Sequence, residues 1–323
     1  MAEILPATEE AIERGALLLR EGKLVAFPTE TVYGLGACAF LPRAVARIFE
    51  VKERPFFDPL IVHVAEPGMA EELWEKVDPR ARLLIECFWP GPLTLVLPKK
   101  PIVPDIVTAG LPTVAVRMPA HSVALALIRK AQVPIAAPSA NLFGRLSPTL
   151  ARHVAKQVGE RIELIIDGGR CPIGVESTVV KLVEEAVLLR PGGVPLEDIE
   201  RVIGRVRVDL QATYPHSPGQ LPSHYAPSVP LKIAPLGTPP PPGLRVGLLA
   251  FRAVEHPEWF EAVEVLSPSG DLQEAAANFF ACLHRLEEAC LDLIYAEPIP
   301  EVGLGRAIMD RLRKASKASE CRK

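Results

Sequence analysis

Thirty-four prolines, scattered along 323 residues rather than gathered in one tract, cut this chain into short elements. Proline fixes its own φ, removes a hydrogen-bond donor and biases its predecessor away from the helix. At about twice its usual ~5% share, it leaves little room for long uninterrupted helices or strands. The segments between prolines alternate in period. Thr8 is placed to cap a helix whose apolar positions Ile12, Ala16 and Leu19 recur at helical spacing, with Gly22 just past its end. Leu24 to Phe27 then reads as a short buried strand stopped by Pro28. Further helices are predicted over 43–50, 66–77, 79–88, 122–131 and 148–159. Strands are predicted over 60–64, 93–97, 114–118, 135–137, 164–167, 177–183 and 187–189. The pattern makes residues 1–208 one α/β unit of many short strands, some joined as hairpins.

A second unit follows a break. Residues 209–230, containing QATYPHSPGQLPSHYAPSVP, have neither period and read as a linker. Beyond it, 231–323 resume a βαβ-like alternation: strands at 231–234, 245–251, 263–266 and 291–296, helices at 272–289 and 304–315. Two domains also suit the length.

Charge excludes one broad class. With 36 basic and 39 acidic residues the net charge is −3, so the chain has no general attraction for nucleic acid, although a local basic cleft is compatible with it. Six cysteines are too sparse for a disulfide framework and lack zinc-site spacing, which favours reduced, mostly buried thiols. The acidic start has no signal-peptide character and no apolar run reaches membrane-spanning length, so a cytoplasmic protein is expected.

The chemistry-bearing residues lie at predicted element ends. Lys52 and Arg54, one residue apart after a helix, suit a phosphate clamp, although a lone Lys-x-Arg pair is more simply a solvated surface pair. Ser139 and Asn141 in APSAN follow a short buried strand, where open α/β sheets bind ligands; taken alone, a plain turn explains them better. PTETVYGLG follows the first strand and offers Thr31 and close backbone approach, but matches neither a dinucleotide fingerprint nor a P-loop. Arg117 ends an apolar strand and needs an anionic partner if buried. Arg190 ends another and is compatible with a snorkelling strand-end residue. His63 closes a strong apolar strand, as satisfied core histidines do, and Tyr225 in HYAP suits a docking anchor for the linker.

Read together and in order, PTETVYGLG, KERP, PLIVHV, FWPGPLTLVL, AVRMPA, PIAAPSAN, GVESTVV and LLRPGG closely resemble the Sua5/YrdC/YciO family over residues 1–205. HYAP and the segment after it are similar to the extension of the longer, Sua5-type members. The resemblance implies a YrdC-like twisted open sheet with a concave basic cavity, followed by a small Rossmann-like domain. It implies a nucleotidyltransferase that joins L-threonine, bicarbonate or CO₂, and ATP into threonylcarbamoyl-adenylate and pyrophosphate. Mg²⁺ would arrive with ATP. Partner proteins would pass the threonylcarbamoyl group to adenosine 37 of ANN-decoding tRNAs; direct tRNA binding is left open and no membrane partner is implied.

Carried onto matching positions, Lys52, Arg54, Ser139 and Asn141 correspond to the family's phosphate-gripping signature. Thr113, Ser147, Arg190 and Tyr225 match further ATP positions. Thr31, His63, Arg117, Ser177 and the backbone of Ala137 match those that hold L-threonine. The family usually has Asp-Asn before Pro-Leu-Ile, whereas Phe57-Asp58 stands here. As an ATP contact, Asp58 would repel phosphate unless it binds a metal or faces away. Two other readings are an RNA-binding module with a basic concave surface, and a carbamoyl-transfer enzyme of the hydrogenase-maturation type. The second lacks its acylphosphatase-like and zinc-finger segments here. If Tyr225 closes the cavity, the linker acts as a lid over a labile anhydride.

Overall fold

The computed structural model describes residues 1–210, 219–221 and 224–320. The parts of the predicted linker at 211–218 and 222–223, and Cys321, lie outside the described residues.

Eleven short strands form the larger sheet. They are β1 (Glu3–Pro6), β2 (Val25–Phe27), β3 (Gly34–Cys38), β4 (Ile61–His63), β5 (Leu93–Pro98), β6 (Thr113–Arg117), β7 (Ile135–Ala136), β8 (Leu164–Asp167), β9 (Thr178–Leu182), β10 (Ala186–Arg190) and β11 (Arg207–Val208). Their spatial order is β1-β8-β2-β3-β7-β4-β6-β5-β9-β10-β11, with parallel and antiparallel pairs mixed. Helices α1 (Glu9–Arg20), α2 (Pro42–Lys52), α3 (Pro67–Glu71), α4 (Pro79–Phe88), α5 (Asp105–Thr108), α6 (Ser122–Ala131), α7 (Ala151–Val158) and α8 (Leu196–Ile203) accompany it. The smaller sheet, β12 (Leu231–Ile233), β13 (Val246–Ala250), β14 (Ala262–Val265) and β15 (Leu293–Ala296), is wholly parallel in the order β12-β15-β13-β14. It is packed by α9 (Leu272–Glu288) and α10 (Gly305–Glu320).

Local chemistry explains most boundaries. Thr8 Oγ1 accepts from Ala11 N to cap α1, and Glu9 and Glu10 suit the positive end of its dipole. Helix α2 ends where Glu53 turns left-handed at φ 54°, which throws Lys52 and Arg54 toward the sheet. Strand β3 was expected to be a glycine-rich loop. It is a strand because Gly36 leaves room for its neighbours: a Cβ there would stand 2.7 Å from the Phe27 ring and 2.9 Å from Ile135. The helix expected over 66–77 covers only Pro67–Glu71, because Trp74 is buried and bridges to Lys99 instead. Strands β1 and β11 and helices α5 and α8 had no distinct sequence signal, and α10 runs five residues beyond its expected end at Ala315.

The two sheets are joined by apolar packing. Val32, Leu146, Val175 and Tyr225, from loops around the larger sheet and from the linker, share one core with Phe279, Phe280, Ile308 and Leu312. The loop before β9 sits especially close: a Cβ on Gly174 would meet the Ala276 carbonyl at 2.3 Å. Cys38, Cys171 and Cys282 are buried, Cys87 and Cys290 exposed, and all five are free thiols. Among the described residues, no helix is long and apolar enough to cross a membrane.

Candidate functional site

Parallel pairing of β4 with β6 places His63 directly opposite Arg117, so two strands deliver both side chains at their carboxyl ends. On the other side, β7 pairs antiparallel with β4 and leads into Ala137-Pro138-Ser139. The loop after β2 closes over these ends through a turn built on Thr29, whose Oγ1 donates to Val32 O and accepts from the N–H groups of Thr31 and Val32. A cavity lies among these ends, lined by the side chains they deliver.

At one end Arg117 is held on three sides. Its Nε donates to Gly91 O at 3.1 Å, Nη1 donates to Thr31 Oγ1 at 2.8 Å, and Nη2 stands 2.5 Å from Glu30 Oε1. The Glu30 contact is close in distance but not aligned as a hydrogen bond, so both carboxylate oxygens and Nη2 keep bonding capacity. His63 lies edge-on to Phe27, and its buried Nδ1 makes no well-aligned side-chain or backbone hydrogen bond among the described residues. Burial, reinforced by Arg117, pushes the His63 imidazole down to about 3, so the ring is neutral at ordinary pH.

Toward the other end stand Arg54, Ser139, Ser177 and Arg190. Arg54 donates from Nε to Asp58 O and from Nη2 to Pro59 O, with Asp58 Oδ2 2.9 Å from Nη2. Arg190 donates to Ser177 O through Nε at 3.1 Å and Nη2 at 2.9 Å, and to Ser177 Oγ at 3.1 Å. The Ser177 and Thr94 hydroxyls are 2.7 Å apart. Glu176 is the sole carboxylate among the described cavity-lining residues. Burial opposes its ionisation, but Arg311, Arg190 and the Ser147 hydroxyl hold its carboxyl below the usual range. Tyr225 covers this end, 2% exposed and in the left-handed region at φ 61°, an uncommon conformation for a bulky side chain. Its hydroxyl crowds Gly219, where a Cβ would meet it at 2.3 Å.

The structure thus brings Thr31, Arg54, His63, Arg117, Ala137, Ser139, Ser177, Arg190 and Tyr225 to one cavity. Four expected ATP residues stand behind its wall. Lys52 is fully buried and spends its Nζ on the carbonyls of Ser139 and Asn141, both at 2.5 Å. Burial, with Arg54 adding to it, pushes that ammonium well below its usual value. Asn141 donates to Leu142 O and Arg145 O, fixing the same loop. Ser147 is directed at Glu176 Oε1, 2.5 Å away. Asp58 is buried against Arg54 and does not face the cavity; burial raises its carboxyl despite the cations around it. Thr113 is not brought to this cavity. It begins the strand that Arg117 ends, opposite Pro98, and lines a separate depression with Lys99 and Val183. The physical reason is strand geometry: five extended residues separate their ends by roughly 13 Å.

Sequence reasoning missed Glu30, Glu176, Gly219 and Arg311. Arg311 was the most findable, because it falls on the apolar stripe of α10 with Ile308 and Ala315. Among the described residues, no group of three or more His, Cys, Asp or Glu side chains is arranged to hold a metal ion.

Comparison with known proteins finds relatives along nearly the whole chain. Residues 17–192 match the Sua5/YciO/YrdC family model, described as telomere recombination. Residues 194–317 match a model described as the C-terminal domain of threonylcarbamoyl-AMP synthase. The threonylcarbamoyl-AMP synthase of Pyrococcus abyssi is 47% identical across 95% of this chain and 94% of its own length. That of Bacillus subtilis is 46% identical across 97% and 94%. The crystal structure of P. abyssi Sua5 complexed with L-threonine superposes with a TM-score of 0.91 at 44% identity, covering 98% of each chain.

Proposed function

The chain belongs to the Sua5/YciO/YrdC family, and from that premise we propose that it makes threonylcarbamoyl-AMP from L-threonine, bicarbonate or CO₂, and ATP. The observation that carries this reading is the convergence of Arg117, Thr31 and His63 with Arg54, Ser139 and Arg190 in one buried cavity at strand ends. The relative bound to L-threonine supports it.

The reaction needs no protein nucleophile. The threonine amine attacks CO₂, forming an N–C bond and releasing a proton to give a carbamate. A carbamate oxygen then attacks the α-phosphorus of ATP as the bond to pyrophosphate breaks. The protein's work is alignment, charge neutralisation and exclusion of water. Arg117 and Thr31 suit the amino-acid carboxylate, since the arginine's fork is already fixed by Gly91 and Thr31. The neutral His63 suits the remaining polar groups of threonine, whereas Ser177, matched to the same role, is held by Arg190 toward the proposed phosphate end. Arg54, Arg190 and Ser139 suit the phosphates. Lys52 and Asn141 serve them indirectly, by fixing the loop that carries Ser139.

In this reading Mg²⁺ comes with ATP as part of the substrate, neutralising phosphate charge. The Glu176 carboxylate is already engaged by Ser147 and Arg311 and suits no cage for a resident ion. Tyr225 acts as a lid over the anhydride. The adenylate product, a nucleotidyl transfer product, would feed enzymes that acylate adenosine 37 of tRNA. The RNA-binding alternative fits poorly, because Lys52, Arg54, Arg117 and Arg190 are turned inward and buried.

The test is pyrophosphate release from ATP in the presence and absence of L-threonine and bicarbonate, with the adenylate identified by mass. Release that requires both co-substrates is expected. ATP turnover indifferent to threonine would overturn the reading.

A further inference from the structure

Helix α10 carries a long cation on the face its apolar spacing assigns to the core. Arg311 is 0% exposed among buried Ile308, Leu312 and Ala315. A guanidinium belongs in such a place only when its charge and donors are met. Here the charge, and the donors of Nε and Nη1, are met across the boundary between the two sheets. Arg311 Nε donates to Glu176 Oε2 at 3.1 Å, and Nη2 stands at 3.1 Å from the same oxygen. Nη1 donates to Pro191 O at 2.6 Å and to Asp310 Oδ2 at 3.0 Å. The guanidinium also lies over the Tyr225 ring, 5.1 Å from its centre. One turn on, Lys314 Nζ donates to Gly219 O at 2.7 Å. A single stretch of α10 therefore grips three separate segments of the cavity wall.

The electrostatic consequence is specific. Glu176 is the one carboxylate among the described residues that line the cavity, and an anion there opposes entry of a triphosphate. With Arg311 on Oε2 and Ser147 on Oε1, that charge is matched and both oxygens are engaged. We infer that Arg311 is a positioning residue: by neutralising Glu176 and backing Tyr225, it makes one end of the cavity acceptable to ATP. The inference rests on the proposed synthase reading. It assigns part of the ATP site to the C-terminal helix, through a residue that does not itself line the cavity.

The test is ATP and L-threonine binding by calorimetry, with KM and kcat for pyrophosphate release, in wild type and four variants. Arg311→Met should weaken ATP binding about tenfold or more and leave L-threonine affinity within about twofold. Adding Glu176→Gln to Arg311→Met should return most of the lost ATP affinity, a rescue that a purely structural role would not give. Arg311→Lys keeps the cation but gives up the fork and the stacking on Tyr225, so its loss of ATP affinity should be clearly smaller than that of Arg311→Met. Arg313→Ala, on the exposed side of the same helix and paired only with Glu301 among the described residues, should behave as wild type. Unchanged ATP binding in Arg311→Met would overturn the inference. So would equal loss of both ligands without rescue by Glu176→Gln, or a loss in Arg311→Lys as large as in Arg311→Met. A wild-type protein that binds no ATP would overturn the synthase reading and this inference together.

Discussion

At the Arg117 end of the cavity every wall comes from one sheet and its loops, whereas the Arg190 end is closed by Gly219, Tyr225 and helix α10 from the last third of the chain. The first end is fixed by register: β4 beside β6 sets His63 against Arg117, and Thr31 and Gly91 hold the guanidinium. The second end depends on docking between the two sheets. The difference teaches that the end proposed for the amino acid is pre-organised, while the end proposed for the nucleotide is completed by segments distant in sequence. Pre-organisation lowers the ordering cost of binding; assembly allows closure once the larger substrate is in place.

The sharpest way to break this contrast is at its rigid end. Arg117→Lys keeps a cation beside Glu30 but loses the fork held by Thr31 and Gly91. Losing two charge-assisted hydrogen bonds of about 1.5 kcal/mol each should lower kcat/KM for L-threonine roughly a hundredfold, with ATP affinity little changed. Steady-state titration of each substrate in turn checks it.

At the assembled end, Tyr225→Ala should uncouple the reaction. Pyrophosphate release continues, but the yield of intact adenylate per pyrophosphate falls about tenfold as water reaches the anhydride. Product and pyrophosphate counted in one time course give the ratio. An unchanged ratio would remove Tyr225 as the lid.

Asp58→Asn sharpens the contrast in the opposite direction. The Asp58 carboxylate offsets the charge of Arg54, while Arg54 retains its hydrogen bonds to the Asp58 and Pro59 carbonyls in the variant. The KM for ATP should therefore fall about threefold, and threonine parameters should stay put.

The smallest effect on turnover, though visible in stability, is acid sensitivity. His63 has a folded pKa of about 3 against an unfolded value near 6.5. Its neutral burial thus contributes stability that is complete above about pH 6.5 and is lost as pH falls toward 3, at about 1.4 kcal/mol per pH unit. His224, pushed down by burial and the cations around it, acts with the same sign. Melting temperature measured from pH 7 to 5 should drop, and His63→Gln should shallow the slope.

The rigid end was also the legible one. Strand-end residues His63, Arg117 and Ser139 stand out because a polar group terminates an apolar run, and the strands themselves fall within a residue or two of their expected bounds. Glu30 and Glu176 were hidden inside hydroxyl-rich motifs, and their importance comes from partners 87 and 135 positions away, Arg117 and Arg311. Lys52 illustrates a different limit. Its spacing from Arg54 invited a phosphate role, yet the left-handed turn at Glu53 sends it beneath the Ser139 loop. Thr113, expected at the ATP site from the resemblance alone, shares β6 with Arg117 but lies at the opposite end.

The contrast itself is tested most directly by calorimetric titration of L-threonine into the nucleotide-free protein. The account predicts saturable one-to-one binding that is abolished in Arg117→Lys and preserved in Tyr225→Ala. Threonine binding that required ATP, or that vanished with Tyr225, would contradict it.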